Sequence, residues 1–315
     1  MVRKQAGFGD RLIGATRRTG HPLCVGLDPH LDRIPPLFAC GDMSPGDPAT
    51  AGAVRAFLVA VCDRLEGRVA VVKPQLAFFE RLGWQGMRAL CEVVEHAQRR
   101  GLLVLLDAKR GDIGSTSVAY AEALLGPDAP FRGDAVTLSP WLGPDTIEPF
   151  ANRANVTGGG LFVLVRTSNP GAGDFQDAEL AAPPRAGVRT VCELVAASLE
   201  PLARSLEGAE TGWSSLGIVV GADSPAQAER LRDLLPRSLF LVPGYGAQGG
   251  SADDAVRCFV AGPAGPEGGV VNSSRAVLFP GAGHTADAGQ WERALDDAVT
   301  RACDDLGQAL SRRAA

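Results

Sequence analysis

Lysine has nearly vanished from this chain: only three of its 31 Lys and Arg residues are lysines, Lys4, Lys73 and Lys109. Arginine stands wherever a solvated positive charge suffices. A lysine that survives at the end of an apolar run therefore marks a place where a planar, non-titrating guanidinium could not do an ammonium's work. Lys73 and Lys109 both sit in such places. Histidine is also scarce, with four isolated copies that form neither a zinc nor a facial-triad pattern, so no metal is expected. The seven cysteines are odd in number, scattered and never spaced C-x-x-C, which argues against a disulfide framework and for a reduced, cytoplasmic chain. Long apolar runs are missing too. The opening "MVRKQAGFGDRLIGATRRTG" lacks the apolar stretch of a signal peptide, and no run reaches transmembrane length, so no membrane partner is expected. Nor is there a positive field: the net charge of −5 favours no nucleic acid, and any anion must meet a local site.

What the chain does have is alternation. Short apolar runs recur at 22–28, 69–75, 102–109, 135–140, 160–168, 216–223, 239–246 and 269–275. Each reads as a strand covered on both faces. Helix-length amphipathic segments lie between most of them. "WQGMRALCEVVEHAQRRG" ends in basic residues and glycine, "SPAQAERLRDLL" opens with Ser-Pro, and "GQWERALDDAVTRACDDLGQALSRR" closes the chain. Eight β-then-α units predict one (β/α)8 TIM barrel spanning residues 1–315, with two extended Pro/Gly-rich loops at 35–50 and 169–186.

The polar residues fall where such a barrel builds its site. The runs end in Asp28, Lys73, Asp107 with Lys109, Ser139, Thr167 with Ser168, Asp223, Gly244, and Asn272 with Arg275. Active sites of barrel enzymes gather at the C-terminal strand ends. The densest end is "LLDAKRGDIGST", residues 105–116. Residues two apart on a strand face the same way, so Asp107 and Lys109 both point into the mouth. Lys73 on the neighbouring strand reaches Asp107, and Asp112 follows the turn, with Thr116 one helical turn further along. The expected result is an alternating Lys–Asp–Lys–Asp array in a site too dry for any of these charges alone. A structural ion-pair network at a barrel rim is the plainer alternative. A second constellation joins "PGYGAQGG" (243–250) to "NSSR" (272–275). Loops seven and eight form the usual phosphate pocket of these barrels, with glycines letting backbone N–H groups come close and Arg275 and Gln248 adding donors.

"DAKRGDIGST" resembles the D-x-K-x-x-D-I-x-x-T signature of the orotidine 5′-phosphate decarboxylases. The likeness continues through "GLD", "VVKPQ", "TSNPG" and "PGYGAQGG" to the strand-eight arginine, from about residue 20 to 280, and the long loop after "TSNPG" is similar to the larger bacterial branch. The family often has glycine before that arginine, where this chain has Ser274. The resemblance implies cofactor-free decarboxylation of orotidine 5′-monophosphate to uridine 5′-monophosphate, the last step of pyrimidine nucleotide synthesis. It makes Lys109 the proton donor to C6, sets Asp107 against the substrate carboxylate, and has Lys73 and Asp112 complete the charged array. Asp28 and Lys73 would hold ribose hydroxyls, and Ser168 the pyrimidine edge. Pro243, Gly244, Gln248 and Arg275 would hold the phosphate. In a homodimer, Asp112, Ile113 and Thr116 would reach the partner's site. A sister activity of the same superfamily, through a metal-bound enediolate, would call for further acidic ligands, such as a glutamate at the end of strand two, where this chain reads "KPQ". A silent phosphate-binding barrel is the non-enzymatic alternative, against which the complete charged set argues.

Overall fold

A computed structural model describes residues 6–182, 184, 186–246 and 249–314. The strands are β1 (Leu23–Leu27), β2 (Val71–Pro74), β3 (Leu103–Arg110), β4 (Ala135–Leu138), β5 (Gly160–Arg166), β6 (Ser214–Val220), β7 (Ser238–Val242), β8 (Val260–Gly262), β9 (Gly265–Glu267) and β10 (Gly269–Ser273). Eight of them close a barrel in the order β1-β10-β7-β6-β5-β4-β3-β2, every pairing parallel. The expected (β/α)8 barrel is therefore present, each strand lying within its apolar run except β6 and β7, which begin slightly earlier, and β3, which ends one residue later. β8 and β9 form a small antiparallel ribbon outside the barrel, which the apolar pattern did not reveal.

Strand parity divides the core in two. Val25, Val72, Leu106, Val136 and Val163 face outward, against helices such as Thr50–Leu65, Gly83–Arg99 and Ala288–Ala314. Cys24, Val71, Leu105, Ala135 and Phe162 face the barrel interior. Continuing the inward parity two residues towards the C-terminal end of a strand reaches Lys73 from Val71, Asp107 from Leu105 and Thr137 from Ala135. The barrel is thus apolar in the middle and charged at the mouth.

The other end is closed by the N-terminal helix Phe8–Thr19, which lies across the strand starts. Phe8 meets Phe162 edge-on at 6.0 Å, and Arg11 donates to Asp134, just before β4, at 2.6 Å. Gly160 makes room for this helix: a Cβ there would lie 2.4 Å from the Phe8 ring.

Both long loops are more tied down than their composition suggests. In 35–50, Thr50 donates to the Ser44 carbonyl at 2.7 Å, and Phe38 packs on Trp291 with centroids 4.8 Å apart. The loop after β5 contains a helical turn, Ala172–Phe175, and Arg166 grips its Asp177 through two hydrogen bonds of 2.9 and 3.0 Å.

Because Phe8 is fully buried beneath the barrel, Phe8→Ala should lower unfolding free energy by about 3–5 kcal/mol. Urea denaturation checks this, and a loss under about 1 kcal/mol would show that the helix merely rests on the barrel floor.

Candidate active site

The centre of the site is Asp107, with only 7% of its surface exposed at the mouth end of β3. Its Oδ2 accepts from Lys73 Nζ at 2.9 Å and its Oδ1 from Lys109 Nζ at 2.6 Å. A third donor, the Thr137 hydroxyl, reaches Oδ1 at 2.9 Å. Lys73 is equally buried and stands 4.0 Å from Asp28. Asp28 Oδ1 is buried without a hydrogen-bond partner among the described residues, an acceptor facing the same mouth.

These environments push the charges in opposite directions. Burial alone would raise the Asp107 carboxyl, but the two ammonium groups and their hydrogen bonds outweigh it and hold the group well below the usual carboxylate range. Burial would likewise lower Lys73, yet the charges of Asp107 and Asp28 and the hydrogen bond to Asp107 keep it above the ordinary lysine value. The neighbouring Cys24 thiol is pushed up to about 12 by burial, against the pull of Lys73, and stays neutral.

One expectation about β3 needs correction. Lys109 does share the inward face with Asp107, but the strand between them is not regular. The β3–β4 register shifts between Leu106 and Arg110, and Lys109 adopts a left-handed φ of +47°. For a residue with a Cβ this conformation costs about 1–2 kcal/mol. Thr137 Oγ1 accepts the Lys109 backbone N–H at 2.9 Å while donating to Asp107, so one hydroxyl braces both the bend and the carboxylate. Sequence reading passed over Thr137 in favour of Ser139, although its parity with Ala135 marked it as inward.

A second correction concerns the fourth charge. Asp112 does not join the array within its own chain: among the described residues its carboxylate forms no ion pair, and its Oδ1 accepts only the adjacent Ile113 N–H, at 2.8 Å. It precedes the helix Gly114–Leu124 rather than lying on it, and the Ser117 hydroxyl turns back to the Asp112 carbonyl. Ile113 is 63% exposed, and Thr116 is exposed on the first turn of that helix.

The expected phosphate residues lie on neighbouring strand ends. Gly244 and Gly246 have left-handed φ of +96° and +74°, and the loop closes on itself through Gly250 N–H to the Gly244 carbonyl at 3.2 Å. The Pro243 carbonyl is held by the Ala222 N–H at 2.9 Å. Arg275 opens the short helix Arg275–Leu278 directly after β10, exposed and with no hydrogen bond or ion pair among the described residues. Gln248 lies outside the described residues. Ser274 is accommodated by Gly26 of β1: a Cβ on Gly26 would collide with the Ser274 hydroxyl, which also accepts from Asn272 at 3.3 Å. Ser168 follows β5 beside Gly221, where an added Cβ would come within 3.0 Å of it. Among the described residues, no group of three or more His, Cys, Asp or Glu side chains could hold a metal ion, and no helix is long and apolar enough to cross a membrane.

A closed parallel barrel whose mouth holds a lysine–aspartate–lysine cluster, with Lys73 and Asp107 buried, beside a glycine-rich loop and an arginine unpaired among the described residues defines a class, the TIM-barrel proteins with a charged strand-end site. Comparison with known proteins narrows it. The sequence model of the orotidine 5′-phosphate decarboxylase / HUMPS family matches residues 21–286, and the chain belongs to that family. It is 42% identical to an orotidine 5′-phosphate decarboxylase of Rhodopirellula baltica, over 95% of this chain and 98% of the relative. One from a Nocardioides species is 41% identical over 86% of this chain and 91% of the relative. Among solved structures, Leishmania donovani OMP decarboxylase superposes with a TM-score of 0.72 at 28% identity, covering 97% of this chain and 99% of that one.

The depressed Asp107 carboxyl has a signed consequence. Its folded pKa lies below the unfolded value of about 3.9, so its stabilisation is complete above that value and is lost as pH falls through the folded pKa. The gap in unfolding free energy between wild type and Asp107→Asn should therefore shrink as pH drops from about 5 towards 2. Denaturant titrations at several pH values measure it, and a gap independent of pH would show that the two lysines do not hold the carboxylate.

Proposed function

We propose that this chain decarboxylates orotidine 5′-monophosphate to uridine 5′-monophosphate, in the cytoplasm and as one barrel domain, without metal or organic cofactor. The observation that carries the reading is the Lys73–Asp107–Lys109 cluster, at the mouth of a barrel whose relatives bear the decarboxylase name.

The chemistry follows from that cluster. When the bond from C6 to the carboxylate breaks, carbon dioxide leaves and the electron pair stays on an sp² carbon with no electron sink. An ammonium fixed beside C6 stabilises that localised charge without having to reorganise. Lys109 then gives a proton from Nζ to C6, forming the new C–H bond, and regains a proton from solvent. Asp107 holds the Lys109 ammonium in place at 2.6 Å and lies against the substrate carboxylate, which it disfavours in the ground state. The unpartnered Asp28 oxygen and Lys73 fit ribose hydroxyls, and Ser168 fits the pyrimidine edge. Arg275, Gln248 and the backbone at Pro243 and Gly244 take the phosphate, whose binding energy, remote from the broken bond, goes into orientation and closure. Strand two ends in Lys73-Pro74-Gln75, without the carboxylate that a metal-bound enediolate would need.

Asp112, Ile113 and Thr116 complete the site of a second copy in a homodimer. Support comes from their position: a carboxylate without an ion-pair partner among the described residues and an isoleucine 63% exposed stand together beside the mouth, suited to another chain's surface.

Purified protein should consume orotidine 5′-monophosphate, followed by loss of absorbance, equally well after exhaustive EDTA treatment. Lys109→Ala should lose at least about 4 kcal/mol of transition-state stabilisation, a thousandfold in rate, and Lys109→Arg nearly as much, since guanidinium is a poor acid. Turnover that Mg²⁺ restores after chelation, or a Lys109 variant keeping more than about a tenth of kcat, would overturn the mechanism.

A further inference from the structure

The glycine-rich loop after β7 carries one large side chain among its described residues, Tyr245, and that side chain makes a contact the proposed reaction does not use. Its hydroxyl donates to Asp305 Oδ2 at 2.6 Å, spanning 60 residues to the C-terminal helix Ala288–Ala314. Burial and the Asp305 carboxylate both push the phenol up, so the donor keeps its proton throughout the physiological range. A cavity of about 530 Å³ lies between the loop and the helix, bordered by Gly246 and Gly250 on one side and Ala298, Arg301 and Ala302 on the other. Among the described residues the loop is also tied internally: Tyr245 bridges Gly250, and Gly246 N–H donates to the Gly250 carbonyl at 3.0 Å. Glycines at 244, 246 and 249, all with positive φ, leave such a segment many conformations to lose on binding an anion.

We propose that Tyr245 is a positioning residue: its hydrogen bond to Asp305 pins the glycine loop to the terminal helix and holds the loop's backbone donors ready for the substrate's phosphate. The inference rests on the phosphate role given to this loop above. The tether acts on the phosphate end of the ligand alone, since the Lys73–Asp107–Lys109 cluster is built on β2 and β3.

The test compares ligands with and without the phosphate. Tyr245→Phe keeps the ring and removes only the hydroxyl. It should weaken uridine 5′-monophosphate binding and lower kcat/KM for orotidine 5′-monophosphate about tenfold, as for loss of one hydrogen bond to a charged group. Uridine, measured by calorimetry, should bind as it does to wild type. Asp305→Ala should match Tyr245→Phe, the double variant should be no worse than either, and Asp305→Asn, which keeps an acceptor oxygen, should stay near wild type. Equal weakening of both ligands, or of neither, would overturn the tether and leave the contact structural. If wild type proves unable to turn over orotidine 5′-monophosphate, the functional reading fails separately. Inorganic phosphate then becomes the probe: weaker binding to Tyr245→Phe sustains the tether, and unchanged binding overturns it.

Discussion

Asp107 is a carboxylate buried between two ammonium groups, and the geometry of the mouth depends on it. Two lysines this close would repel each other, and burial alone would weaken the hold of Lys73 on its proton. Asp107 reverses both effects with one oxygen for each lysine. Removing either member of the buried Lys73–Asp107 pair strands the other charge, at a cost of about 3–5 kcal/mol. Thr137 extends the constraint to the backbone by satisfying the carboxylate and the left-handed Lys109 peptide with one hydroxyl. In the proposed reaction the same arrangement presents a fixed cation and a proton where a carbanion forms.

The barrel supplies the rigidity. Parallel strands fix Lys73 and Asp107 on adjacent inward positions, and the apolar interior beneath them, closed at the far end by Phe8–Thr19, denies them water from below. The polar supports of the proposed phosphate end are more local. They are a glycine loop, an exposed arginine, and the contact between Gly26 and Ser274 that lets a serine stand where the family often has glycine.

Much of this was legible in the sequence, because it depends on local period. Continuous apolar runs marked the strands, and residues at their polar ends, including Asp28, Lys73 and Asp107, sit where parity put them. What escaped depends on contacts between distant segments. Nothing in "AVTLSP" says that Thr137 meets both Asp107 and Lys109, and a two-residue period cannot foretell the register shift that bends β3. The plugging role of Phe8 requires knowing that Gly160 leaves space for it. The glycine and proline content of 169–186 suggested a free loop, whereas Arg166 anchors it through Asp177. Asp112 marks a different boundary: its spacing from Lys109 is that of the family signature, yet within one chain its charge has no ion-pair partner among the described residues.

That last point puts the account at its greatest risk, because it makes the working site the property of two chains. Lys109→Ala and Asp112→Ala should each be inactive alone. In a mixed dimer one site carries both defects and the other carries neither. Random exchange makes half the dimers mixed and leaves half their sites intact, so roughly a quarter of wild-type activity should return. Differently tagged chains show whether exchange has occurred. Recovery near that level is the result the account predicts, and proven exchange with no recovered activity would contradict it, placing Asp112 at work in its own chain.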